Sequence, residues 1–323
     1  MWKIGNVTIE NRIVAAPLAG ISNPVYREMN HDYGAGLVVS EMISDKALHY
    51  QNARTFDMCR TSEREHPVSL QLFGGDPITM GEAAKYLTEH TDCDIIDINM
   101  GCPVPKVLKA HAGSYLLNHP DIASDIVRAV KDNTDRPVTV KIRAGWDKEH
   151  IVCAEFAKKM EEAGADAIAV HGRTKTQLYQ GQSDNAYIRM VKEAVNIPVI
   201  GNGDIRTVED VHRMYEETNC DAIMIGRGLL GRPYFIKEIL AEEAGMPYQE
   251  PTDGEKIDLC YAYAEKLCAY EEEYTGIHMM RSMAGWFLFG MPYAARYRER
   301  LSHVNSLSDL KEVLDDYRRQ IEE

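Results

Sequence analysis

The chain has 323 residues and a formal charge of −14, with 36 Lys and Arg against 50 Asp and Glu. That length suits a barrel of about 250 residues with an appendage. It contains no run of about 18 apolar residues, which argues against a membrane-spanning helix, and its start, Met1-Trp2-Lys3-Ile4-Gly5-Asn6, lacks the regions of a secretory leader, so the expected location is the cytoplasm.

Eight short, apolar, β-branched runs follow along the chain: Ile13–Pro17, Leu37–Ser40, Val68–Phe73, Ile95–Asn99, Val138–Ile142, Ala167–His171, Pro198–Asn202 and Ala222–Gly226. Each is continuously apolar, as a strand buried on both faces must be. Amphipathic segments such as Ala154–Ala163 and Val208–Glu217 separate several of them. Strand and helix alternating eight times predict a parallel (β/α)8 TIM barrel. A weak internal repeat agrees: CDIIDINMG, ADAIAVHG and CDAIMIGRG each lead from Asp through an apolar strand to a Gly-containing turn.

Polar residues gather where these runs end: Gln71, Asn99, Lys141 with Arg143, His171 with Arg173, Asn202 with Asp204, and Arg227. In a barrel those ends converge on one face, where active sites are built. One polar strand end is as often structural as functional, but six strands of eight are harder to explain that way. Past Glu243 the pattern changes. AGMPYQEPTDG carries two Pro and two Gly and reads as a linker. The expected division is a barrel over 1–243, a linker over 244–252 and a small helical domain over 253–323. Leu307, Leu310, Val313, Leu314, Tyr317 and Ile321 keep helical spacing there.

GNGDI at Gly201–Ile205 follows the seventh run, and IGRG at Ile225–Gly228 follows the eighth. Loops at these two places often hold a phosphate on backbone N–H groups and a helix N-terminus. Thr207 is placed to cap the helix that follows. Turn glycines alone are the simpler reading of either loop, but the pair points to a phosphate-bearing ligand. With no G-x-G-x-x-G after the first run, flavin mononucleotide (FMN), held without a covalent bond, suits the geometry. Lys141 interrupts the apolar VTVKIRAGW, where an unpaired ammonium is costly, so it asks for an anion such as a reduced flavin ring. The Gln71 amide can match the ring's donor and acceptor pattern.

The seven cysteines show no CxxC or Cys/His spacing, which fits reduced thiols and no metal site. Cys102 alone lies in a tight Gly-Cys-Pro loop past the fourth run, over the expected barrel mouth. A thiol there can serve as a general acid; a buried loop thiol is the plainer reading.

APLAGISNPVYR, SLQLFGGDP, DINMGCPVPKV, AGSYLL, VKIRAGW, HGRT, IPVIGNGDI and MIGRGLLGRPY together resemble the tRNA-dihydrouridine synthases of bacterial type. The likeness runs from about Asn11 to Tyr234. It resumes weakly at RSMAGWFLFGMPYAARYRERL, which resembles that family's helical RNA-contacting segment. The resemblance implies an FMN site at Pro17, Leu18, Ala19, Gln71, Lys141, His171, Asn202, Gly203, Asp204, Gly226 and Arg227. It implies Cys102 as proton donor and Asn99 beside flavin and substrate base. The implied reaction uses NADPH to reduce the flavin, passes hydride to C6 of a tRNA uridine that has left its stack, and protonates C5 from Cys102.

The acidic balance argues against a nucleic-acid partner, since phosphate contacts need Lys and Arg, but a local positive strip can sit on an acidic protein. The expected strip is Lys106, Lys109, Arg173 and Lys175 at the mouth, with Arg281, Arg296, Arg298 and Arg300 in the tail opposed locally only by Glu299. Two competing readings remain: a small-molecule pyrimidine reductase of the dihydroorotate dehydrogenase kind, for which the helical tail is superfluous, and a non-enzymatic RNA-binding protein, for which Cys102, Lys141 and GNGD are. The sequence leaves the oligomeric state open, a monomer included.

Overall fold

The computed structural model describes residues 1–322. Its eight central strands are β1 (Ile13–Ala15), β2 (Leu37–Val39), β3 (Val68–Phe73), β4 (Ile95–Met100), β5 (Val138–Arg143), β6 (Ala167–His171), β7 (Val199–Asn202) and β8 (Ala222–Ile225). Each pairs in parallel with the next, and β8 pairs with β1 to close the ring. The TIM barrel and the helical tail are therefore both present. The strands lie where the apolar runs fall because residues such as Ile13, Val68, Ile96, Val140 and Ile223 are wholly buried. A strand covered by helices outside and side chains inside has no polar face to alternate with.

Helices cover the outside. Cys153–Glu162 turns Cys153, Phe156, Ala157 and Met160 inward, the one-face spacing of an amphipathic helix. Pro77–His90 starts with Pro in its first turn, capped by the Asp76 carboxylate accepting from the Ile78 N–H at 2.9 Å. Thr207 caps Val208–Thr218 as expected, and Asp210 completes a capping box by accepting from the Thr207 N–H.

The N-terminal hairpin, Trp2–Ile4 with Val7–Ile9, was not expected. Ile4 and Ile9 are fully buried in one cluster with Ile95, Ala167 and Ala222, the first residues of β4, β6 and β8. The hairpin thus closes the N-terminal end of the barrel, leaving the C-terminal end as the mouth. A two-residue strand, Ile43–Ser44, also extends the edge of β3.

By contact the chain divides into two compact units, Met1–Gly226 and Arg227 onward, so helix Tyr234–Glu243 groups with the tail. Residues 244–252 carry no helix or strand, and Thr252 caps the next helix. The tail helices are Asp253–Glu271, Glu273–Phe287, Ala294–Leu301 and Leu307–Glu322. Their core holds Ile257, Cys260, Leu267, Met280, Leu310 and Tyr317. At Gly276 the second of these helices passes so close to the first that a Cβ would stand 2.8 Å from the Cys268 Cα.

Candidate active site

Register decides which side chains meet inside the barrel mouth. Gln71 of β3 stands opposite Asp97 of β4, and Asp97 opposite Thr139 of β5. Two residues further on, Asn99 stands opposite Lys141. On the other side Asn202 of β7 stands opposite His171 of β6. Strand side chains alternate, so residues 97 and 99, or 139 and 141, face the same way.

Lys141 is the charged centre. Its Nζ donates to Asn202 Oδ1 at 3.0 Å, and Asn202 Nδ2 donates on to the Met224 carbonyl at 2.7 Å. Burial pushes the ammonium down from its ordinary 10.5 to about 8; Arg143 pushes the same way and Asp97 opposes them. Three N–H groups with one hydrogen bond among the described residues leave donors for an anion. Arg143, also buried, donates instead to the carbonyls of Thr174 and Leu178, both at 2.8 Å, and so pins a loop.

Gln71 is 1% exposed; its Nε2 donates to Asp97 at 2.6 Å and its Oε1 accepts from Asn99 Nδ2 at 2.8 Å. One N–H and one lone pair remain for a ligand. His171 Nδ1 accepts from the Arg173 N–H at 3.2 Å, which places the proton of the neutral ring on Nε2.

Cys102 is half-buried on the loop beyond β4. Its N–H donates to Asn99 Oδ1 at 2.9 Å, and its carbonyl accepts from the Ser114 N–H at 3.0 Å. Ser114 Oγ also donates to the Gly101 carbonyl at 2.7 Å. The loop is thus clamped from two sides; Ser114 was legible only as part of the AGSYLL motif. Burial raises the thiol above its ordinary value, against the Val104 N–H and the charges of Arg143 and Lys141. At neutral pH the sulfur therefore carries its proton. Cys93 is buried before β4, at the opposite end of the barrel.

At the phosphate loops, Gly203 has φ +148°, and a Cβ there would stand 2.0 Å from Ser183 Oγ, a buried hydroxyl without a hydrogen-bond partner among the described residues. Gly226 differs. A Cβ there would meet only Ala16 at 3.6 Å and Leu18 at 3.7 Å, ordinary contact distances. Nothing in the protein demands Gly at 226, so the space beside it is open to a ligand. Pro17 and Leu18 are half-buried and Ala19 exposed on the loop after β1, while Arg227 opens a short turn, Arg227–Leu229. The surplus donors of Lys141, the space at Gly226 and the orphaned Ser183 hydroxyl fit an anionic, phosphate-bearing ring compound.

The positive strip needs correction. Arg173 does not project into solvent: its side chain is 2% exposed. It clasps Asp204 with two hydrogen bonds, at 2.9 and 2.5 Å, and donates to the carbonyls of Gln180 and Gly181. Asp204 itself sits at φ +49°, a conformation this clasp holds. Arg173 thus shapes the GNGD turn. In the tail, Arg300 pairs with Asp316, so Glu299 is not the only local acid, and Arg281 donates to the Val304 carbonyl and Asn305. Lys175 lies over the Trp146 ring at 4.1 Å. Lys106, Lys109, Arg296 and Arg298 are exposed.

Comparison with known proteins gives a consistent result. The family model described as dihydrouridine synthase (Dus) matches residues 13–322. The chain is 38% identical over 316 residues to tRNA-dihydrouridine synthase B of Vibrio vulnificus, covering 98% of each. It is 39% identical over 306 residues to the protein of that name from Pseudomonas aeruginosa, covering 94% of this chain and 91% of that one. Among solved structures, a variant of NCR from Zymomonas mobilis shares the fold at a TM-score of 0.53 and 17% identity, over 78% of this chain and 92% of its own. The chain belongs to the dihydrouridine synthase family.

Proposed function

We propose that this protein is a flavin-dependent oxidoreductase that reduces a uridine of tRNA to 5,6-dihydrouridine. The observation that supports it most is the pairing, on adjacent strands of one barrel mouth, of a protonated thiol on the loop after β4 with an under-partnered ammonium on β5. Family membership supplies the substrate class, and relatives named for tRNA match over almost their whole length.

FMN would be held by the loop Pro17, Leu18 and Ala19, by Gln71, Lys141, His171 and Asn202, and by the turns Gly203–Asp204 and Gly226–Arg227. When bound, it would supply hydride, drawn from NADPH, for C6 of the uracil. Lys141 would stabilise negative charge on the ring edge, Gln71 would offer its remaining N–H and lone pair, and Asn99 would lie beside the base. Cys102 Sγ gives its proton to C5, and the thiolate regains one from solvent. Burial keeps the Cys102 thiol protonated at neutral pH, the state from which a proton can be given. The exposed Lys106, Lys109, Arg296 and Arg298 are the candidate phosphate contacts. The barrel, whose strands all lie within Met1–Gly226, would carry the chemistry; the tail helices from Asp253 to Glu322 would meet tRNA; the cytoplasm, where tRNA is found, is the proposed location.

The test supplies unmodified tRNA transcript, FMN and NADPH, and reads nucleosides by mass spectrometry. A gain of two hydrogens on uridine in tRNA, and none on free uracil or orotate, is expected. Reduction of the free pyrimidine alone would favour a small-molecule reductase.

A further inference from the structure

Asp97 has no part in the chemistry above, yet a carboxylate inside β4, 4% exposed, must have a use that offsets its burial. It accepts from Gln71 Nε2 at 2.6 Å and from Thr139 Oγ1 at 2.5 Å. The line continues without a gap. Gln71 Oε1 accepts from Asn99 Nδ2, and Asn99 Oδ1 accepts from the backbone N–H groups of Cys102, at 2.9 Å, and Gly101, at 3.2 Å.

The polarity of this line is fixed from both ends. An ionised carboxylate only accepts, so Gln71 must turn its NH2 toward Asp97 and its carbonyl toward Asn99. Backbone N–H groups only donate, so Asn99 must turn its carbonyl toward Cys102 and its NH2 toward Gln71. Two amides that could each flip are held in one orientation. We propose that Asp97 is a positioning residue: through Gln71 and Asn99 it sets the place of the Cys102 loop at the barrel mouth. Burial raises the carboxyl to about 6, and the hydrogen bonds from Thr139 and Gln71 oppose it, so at neutral pH it is mostly ionised and serves as an acceptor. Its effect on turnover rests on the reading of Cys102 as proton donor; the line to the loop does not.

Asp97→Asn keeps an acceptor for Gln71, and its new NH2 can be met by the Thr139 hydroxyl, which rotates to accept. Asp97→Leu and Gln71→Leu cut the line, the second without removing a charge. The measurement is the alkylation rate of Cys102 by iodoacetamide in flavin-free protein, resolved by peptide mass spectrometry from pH 6 to 10. Half-buried Cys268 serves as the internal reference. Freed from its tether, the loop admits water to the thiol, which lowers its pKa and speeds reaction. Asp97→Leu and Gln71→Leu should each raise the rate at pH 7.5 by at least about threefold and shift the pH profile down. Asp97→Asn should stay near wild type, and Asp97→Leu with Gln71→Leu should exceed neither single change. Should Asp97→Leu not fold, Gln71→Leu against Asp97→Asn still decides. An equal shift in Asp97→Asn, or none in Gln71→Leu, overturns the proposal, because the carboxylate then acts by charge or by packing alone. In flavin-loaded enzyme, Asp97→Leu, which removes no flavin contact, should lose about tenfold in kcat with KM for tRNA unchanged. If alkylation shifts but turnover does not, the line stands and the acid role of Cys102 fails.

Discussion

Lys141→Met removes a buried ammonium while nearly keeping its volume. With its pKa lowered from 10.5 to about 8, holding the proton at this site costs about 3 kcal/mol relative to water. An anion bound beside Nζ relieves that cost and raises the pKa again. Binding therefore draws a proton onto the chain wherever the free protein has already lost it, that is, above pH 8. Affinity for reduced FMN, whose ring carries the negative charge, should be flat from about pH 7 to about 8, then fall with a limiting slope of about tenfold per pH unit. Lys141→Met should abolish the slope and weaken binding at pH 7 by about 10- to 100-fold, the scale of one lost charge-assisted contact. Anaerobic equilibrium binding of dithionite-reduced FMN, followed by absorbance from pH 7 to 9.5, measures both. A wild-type affinity indifferent to pH between 8 and 9.5, or a variant that keeps the slope, would refute Lys141 as the partner of the anion.

Three further outcomes follow from the geometry. Arg173→Met should lower stability by about 2 kcal/mol, less than a fully buried pair because Asp204 is part-exposed, and should loosen FMN while leaving the salt dependence of tRNA binding intact; an unchanged melting temperature and flavin content would return Arg173 to the surface strip. Gly226→Val should fold with a melting temperature close to wild type, since the protein leaves room there, but should purify with little flavin; full flavin content would show the space has another use. Lys106→Glu with Lys109→Glu should weaken tRNA binding and flatten its dependence on salt concentration, an effect absent if the helix Pro105–Lys109 does not face phosphates.

The barrel was legible because a strand buried on both faces has to be written almost wholly in apolar letters, and eight such runs stand at the right intervals. The N-terminal hairpin was not, although Trp2, Ile4, Val7 and Ile9 alternate around a Gly5-Asn6 turn; each of its strands is only three residues long. Lys141 announced itself as a charge inside an apolar run. Asp97 in CDIIDINMG carries the same signal, and its partners became visible only through the register that sets it against Gln71 and Thr139. Arg173 shows the limit most clearly. HGRT at a strand end reads as a basic residue at the mouth, but its direction depends on Asp204, 31 residues later, and on the carbonyls of a turn whose course has no local signature.

In the proposed reaction Cys102 delivers a proton to the substrate and does nothing for the flavin. Single-turnover spectroscopy of Cys102→Ala separates the two half-reactions, with Cys93→Ala as the control at the closed end of the barrel. Cys102→Ala should purify yellow, bleach with NADPH at the wild-type rate and reoxidise with dioxygen, while its reoxidation by tRNA slows by about 10²- to 10⁴-fold, the usual worth of one positioned acid. Reoxidation by tRNA at the wild-type rate, with dihydrouridine formed, would show that another group supplies the proton.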